Sequence, residues 1–170
     1  NMIDEYIDLS QVRDVVTLNY THTFESIYCR EIKRNIYHIH GDVDFNIVLG
    51  INSNENDNLE TVNTDFLRFK KYYQRVFYKT DIEYLMALKY NDIFDSRNTN
   101  NLVVFGHSLD STDKDIIMDL FMYSKKITIY CYNEKAMSDN IINLVNIYGR
   151  EGFDILRSEK EMTFIVLDEI

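Results

Sequence analysis

The segment His38-Ile39-His40-Gly41-Asp42 holds two of the chain's four histidines, its first glycine and a carboxylate. Histidine titrates near neutral pH, so either ring could act as a general base. Two histidines at alternate strand positions project to one face and, with Asp42, have the donors of a metal site. A dinuclear phosphoesterase would need further ligands at later strand ends, where His107 alone is left, so no metal is expected. Either histidine could instead pack within a sheet. His40, placed directly before a glycine turn, is the residue favoured for chemistry.

Three other stretches carry suitable groups. Gly106-His107-Ser108-Leu109-Asp110 is similar to the strand-to-helix turn that presents a nucleophilic serine. Its fifth position is Asp110 rather than glycine, and no histidine follows His107, which argues against a serine hydrolase. Ser108 then reads as a phosphate or hydroxyl contact beside free backbone N–H groups, or as part of a plain helix-entry turn. Asn19, in Thr17-Leu18-Asn19-Tyr20-Thr21, could form an Asx turn or orient a water or sugar hydroxyl. Residues 68–75, RFKKYYQR, mix four basic residues with three aromatics. On an amphipathic helix the aromatics would enter the core and the charges face water; alternatively Lys71 or Arg75 reaches an anionic ligand.

The elements that must position these groups alternate. DVVTLNY (14–20) reads as a strand, followed by a helix through THTFESIYCREI with Thr21 as cap and Glu25 in its first turn. NIYHIHG (35–41) and FNIVLGI (45–51) read as strands close enough to form a hairpin. After the polar loop 52–60, a helical pattern from Thr64 places Phe66, Phe69, Tyr73, Val76 and Phe77 on one face. A second helical stretch covers 82–88, and 95–101 is a turn-rich loop. NLVVFG (101–106) has buried-strand character. Thr112-x-x-Asp115 reads as a capping box before a helix bearing Ile116, Ile117, Leu120 and Phe121. KITIYCYN (126–133) is a strand with Cys131 in the core. A helix over 134–148 ends at Gly149, and EMTFIVLDEI is the last strand. This order predicts one α/β domain over 1–170, Rossmann-like, with a mostly parallel sheet. Ligands in such sheets bind beyond the carboxyl ends of the strands, where TLNYT, HIHGD and FGHSLD all fall.

Composition narrows the function. Hydrophobic residues make up 45% and charged residues 27%, as in globular proteins. There is no apolar run of membrane-spanning length, and the acidic start is unlike a signal peptide. The net charge of −10 opposes nonspecific nucleic-acid binding, which needs a basic face. Two distant cysteines suggest neither disulfides nor zinc, and the cytoplasm is the natural compartment. The chain has no proline, which removes one marker of element boundaries.

Taken in order, TLNYTHTFESIY, IYHIHGD with IVLG, FKKYYQR and VVFGHSLDSTDKD resemble the bacteriophage abortive-infection AbiH-like family, from about Val15 to Tyr132. That family is distantly similar to the sirtuin-like Rossmann fold, whose T-x-N-x-D segment and His-Gly pair resemble Thr17-Leu18-Asn19-Tyr20-Thr21 and His40-Gly41. The resemblance implies a phage-defence protein that binds or hydrolyses NAD or a related nucleotide. Asn19 would orient the nicotinamide ribose or the attacking water, and His40 would be the general base. Thr17, Tyr20, His38, Gly41, Lys71, Arg75, Gly106, His107, Ser108 and Asp113 would line the nucleotide. A nucleotide or phage-derived trigger is the implied partner, and a homo-oligomer is compatible with it. The alternative is a non-catalytic sensing or interaction module. Thr21 stands where the sirtuin-like pattern has aspartate, and no glycine precedes Gly41 to cradle a phosphate. The expectation is therefore a carboxyl-terminal part of a longer protein, or a shortened, degenerate relative, weak in nucleotide affinity and inactive by itself.

Overall fold

A computed structural model describes residues 3–29, 34–50, 68–94 and 100–167. The predicted loop at 52–60, Phe66 and the carboxyl end of the last strand, 168–170, lie outside them. The chain divides into two compact units, residues 1–86 and 87–170. Both are α/β, with parallel strands and helices, as the alternating pattern predicts. Among the described residues no helix is long and apolar enough to cross a membrane.

In the first unit, β1 (Asp14–Thr17) pairs parallel with β2 (Asn35–His38). The β-branched pair Val15-Val16 suits the pleated backbone of β1. The register sets Asp14 opposite Asn35 and Thr17 opposite His38, so the two carboxyl ends lie side by side. Helix α1 (Thr23–Tyr28) makes the crossover. Arg34 fixes its end by donating to the carbonyls of Tyr28 (3.0 Å) and Leu9 (2.7 Å). Thr21 does not cap α1: His22 holds the cap position, without a side-chain capping bond, and the Thr21 hydroxyl meets that of Thr23 at 2.8 Å.

The expected third strand does not form in residues 45–50. The Asp42 carboxylate accepts the N–H groups of Asp44 (2.8 Å) and Phe45 (2.9 Å), and Asn46 takes a left-handed φ of 55°. These local bonds compete with a hairpin ladder and curl the chain into a loop. Val48 closes it by donating to the His40 carbonyl at 2.8 Å. Only glycine fits position 41. Its φ is +70°, and a Cβ would stand 2.1 Å from the Asn46 carbonyl oxygen.

Helix α2 (Lys71–Tyr78) reverses the expected faces. Arg75 is buried, while Tyr72, Tyr73, Val76 and Phe77 are exposed. The reason lies in backbone packing. Gly50 approaches so closely that a Cβ there would sit 2.4 Å from the Lys71 nitrogen. The helix therefore meets its unit along the Lys71 side, and Arg75, one turn on, shares that side. Lys79 ends α2 in a left-handed conformation. Thr80 then donates from its hydroxyl to the Ile39 carbonyl at 2.8 Å, tying this corner to the end of β2. Helix α3 (Ile82–Phe94) follows and contains the boundary between the units. It runs further than the predicted stretch.

The second unit orders its parallel strands β3 (Asn101–Phe105), β4 (Lys126–Cys131) and β5 (Glu161–Val166) consecutively. Along β4, Ile127, Ile129 and Cys131 are buried and alternate with partly exposed residues, as period two requires. They join Ile117 and Phe121 of α4 (Lys114–Met122) and Leu144, Ile147, Phe153 and Leu156 of α5 (Glu134–Glu159) in one core. Asn133 caps α5 by accepting the Ala136 N–H at 2.9 Å. The helical run breaks at Gly149 (φ 70°, ψ 163°), where the sequence ends the predicted helix. A further helical stretch to Glu159, not anticipated, supplies Phe153 and Leu156. Thr112 does not hold the cap position expected of it. Asp110 instead accepts the Thr112 N–H at 2.8 Å and caps the short turn Ser111–Asp113 that leads into α4.

Candidate functional site

The adjacent ends of β1 and β2 gather five titratable side chains. His38, the last residue of β2, contacts the Glu25 Oε1 atom through Nε2 at 2.5 Å. His22 contacts the same oxygen through Nδ1 at 3.2 Å. The opposite nitrogen of His22, Nε2, lies 3.4 Å from Asp44 and 3.9 Å from Asp42. The two imidazoles meet edge to face, with ring centres 5.1 Å apart. His22 is 42% exposed, Glu25 26% and His38 11%, so the cluster opens to solvent on the His22 side.

Charge tunes each member. The hydrogen bond to Glu25 holds the His22 ring above its ordinary pKa against desolvation, and the charges of Glu25 and Asp42 and the bond to Asp44 add to the rise. Burial pushes the Glu25 carboxyl up, but the bonds from His38 and His22 outweigh it, and the net shift is downward. Asp42 is lowered by the Asp44 N–H foremost, against desolvation, and then by that of Phe45. Glu25 Oε2 is buried and has no hydrogen-bond partner among the described residues.

The sequence-derived candidates divide by unit. Thr17, Asn19, Tyr20, His38, His40 and Gly41 do come to the β1–β2 end, in altered roles. Thr17 Oγ1 accepts the Asn19 N–H at 3.2 Å. Asn19 is exposed, and it is its backbone carbonyl that takes the His38 Nδ1–H, at 3.2 Å. Tyr20 donates its hydroxyl to the Val48 carbonyl at 2.8 Å and sets its ring 6.2 Å from that of His40. The strand stops at His38, so the alternation expected to pair His38 with His40 does not extend to His40. His40 is only 3% exposed and sits in the turn. Lys71 and Arg75 lie on the inner side of α2, and Arg75 is buried.

Gly106, His107, Ser108 and Asp113 belong to the second unit. There His107 Nδ1 accepts the Leu109 N–H at 2.9 Å, while its Nε2 lies 3.8 Å from buried Asp113. Asn143 donates to the Ser108 carbonyl at 2.9 Å. Leu109, left-handed and buried, anchors the turn in the core. These bonds are those of the helix-entry turn.

Sequence reasoning missed His22, Glu25 as a side-chain partner, and Asp44. A signal was present, since His22 and Glu25 are three residues apart at a helix start and such residues share a face. What the sequence could not show was the β1–β2 register that brings His38 onto them.

Searches among curated proteins and among solved structures found no match. The family described as Bacteriophage abortive infection AbiH matches residues 3–132. That span takes in the whole His22–Glu25–His38 cluster and the His107 turn, and the chain belongs to this AbiH family.

Proposed function

We propose that this chain serves abortive-infection defence against phage by cleaving the N-glycosidic bond to nicotinamide in NAD or a related nucleotide, at the ends of β1 and β2. The observation that supports it is the open His22–Glu25–His38 cluster where two parallel strands end side by side. Ligand sites of parallel α/β sheets lie beyond such ends. Bond cleavage through an oxocarbenium-like state needs a positioned water and a base. Water held beside the His22 ring would give its proton to the Glu25 carboxylate. His38, held by Asn19 and Glu25, would fix the carboxylate. His40, the base implied by the family's sirtuin-like resemblance, is enclosed in its turn and is here given the role of shaping it.

Nicotinamide release from NAD tests this. The His22→Ala and Glu25→Gln variants should each lose about 100-fold or more in rate, the usual worth of a positioned acid–base group. His40→Ala should lose less. Absence of turnover both in the wild-type chain and in a version extended upstream by a glycine-rich strand-turn, or full rates in both of the first two variants, would overturn the reading.

A second reading, a sensing or interaction module, has its own support. α2 turns Tyr72, Tyr73 and Phe77 to solvent, and the preceding loop exposes Phe45 and Leu49. Exposed aromatic side chains of this kind, with Tyr73 and Phe77 stacked, are enriched at contact faces. Tyr72→Ser with Phe77→Ser should then abolish binding of a phage-derived trigger or self-association, measured by light scattering, and leave nicotinamide release intact.

A further inference from the structure

We infer that His22, Glu25 and His38 form a binding site for a first-row divalent transition metal ion, zinc in the first instance. One ligand atom from each lies within 4.8 Å of the others, which leaves the three donors gathered around one position. Two imidazole nitrogens and one carboxylate suit zinc and its neighbours in the periodic row. Calcium and magnesium prefer oxygen donors.

The outer nitrogens carry the argument further. His38 turns Nε2 toward Glu25 and Nδ1 toward the Asn19 carbonyl, 3.2 Å away. His22 turns Nδ1 toward Glu25 and Nε2 toward the Asp44 carboxylate, 3.4 Å away. Metal-bound histidines characteristically donate their second N–H to a carbonyl or carboxylate, which sets the tautomer and the ring orientation. Both rings have that arrangement. The Asn19 carbonyl and the Glu25 carboxylate both accept, so each calls for a ring N–H or a cation facing it. A cation in place of the inner proton serves the same lone pairs. It also answers the buried Glu25 Oε2, which has no donor among the described residues. Asp42 and Asp44 gather on the other face of His22 as well. That set contains one imidazole and lies more in solvent, so it serves better as the outer partner than as the holder of the ion.

The site uses the same side chains as the proposed hydrolysis but does not depend on turnover. With three protein donors and an exposed side, a bound ion would keep room for a water and lower its pKa.

The test is titration of the whole chain with zinc alone by calorimetry, and with cobalt alone by visible absorption. One ion per chain is expected. The gentle substitutions His22→Gln and Glu25→Gln should each weaken binding by more than the roughly 10–100-fold that loss of an outer hydrogen-bond partner costs. Asp44→Asn should fall within that range, and His107→Gln should bind as the wild type does. Circular dichroism on each variant separates lost binding from lost folding. No binding at millimolar zinc, or equal binding in folded His22→Gln and Glu25→Gln, overturns the proposal. Metal bound without nicotinamide release sinks the hydrolase reading alone, whereas release unaffected by a chelator, from a chain that binds no zinc, sinks the metal site alone.

Discussion

Two turns in this molecule look alike as sequence. Each follows a strand of a parallel sheet, and each combines histidine, glycine and aspartate: His38 to Asp42 in the first unit, Gly106 to Asp110 in the second. They do different things. In the second, the histidine ring accepts a backbone N–H, Asn143 secures the Ser108 carbonyl, and Leu109 plugs into an apolar core. In the first, His38 meets the Glu25 carboxylate, which His22 shares from α1's start on the solvent side. The surroundings account for the difference. The second unit buries a contiguous set of Ile, Leu and Phe around β4. Among its described residues the first buries Ile39, Val48 and Tyr84 along with His40 and Arg75, and exposes Phe45, Phe69, Tyr72, Tyr73 and Phe77. Residue types at a strand end therefore state what chemistry is available, and packing decides whether it is used up by the fold.

That contrast can be strained by substitution. The largest effect should come from Gly41→Ala. Its Cβ would meet backbone rather than a movable side chain, so a loss of more than about 3 kcal/mol in urea unfolding is expected. Gly106→Ala faces an equally left-handed φ of 69° but open space, so only the backbone penalty of roughly 1–2 kcal/mol applies. Equal costs at the two positions would show that the two turns are not packed differently. His107→Ala should cost about 1 kcal/mol, the worth of its bond to Leu109, and leave metal binding unchanged.

The smallest effect is a pH dependence confined to the first turn. Glu25 is shifted down on folding, so its contribution is fully present above the ordinary carboxylate value of about 4.3 and fades as pH falls through its lower folded value. His22 is shifted up, so its contribution is fully present below about 6.5 and fades as pH rises through its higher folded value. Stability of the metal-free chain should peak between these limits, and His22→Gln should flatten the alkaline side. A profile unchanged by that substitution would count against the ionic account of the cluster.

Much of this was legible in the sequence. Strand periodicity located β1 to β5, and Gly149 marked a real break. The polar ends of TLNYT and HIHGD, read as neighbours at one sheet edge, do lie side by side. Three things were hidden. A polar ring such as His22 carries no sign of its partners until strand register is known. The Asp42 side chain captured N–H groups that a hairpin would have used. On α2 an aromatic stripe reads as core by composition, and a close backbone contact rotated the helix against that expectation.

The Gly50 contact has a genetic consequence. Because a Cβ at position 50 would stand 2.4 Å from the Lys71 nitrogen, a change at 50 is felt at the start of α2. A side chain at 50 would push the start of α2 outward and draw Arg75 toward water. Suppressors of such a lesion should not arise near position 50 in the loop. They should arise on the helix, where smaller or differently charged residues at 71 and 75 let it settle at a new distance.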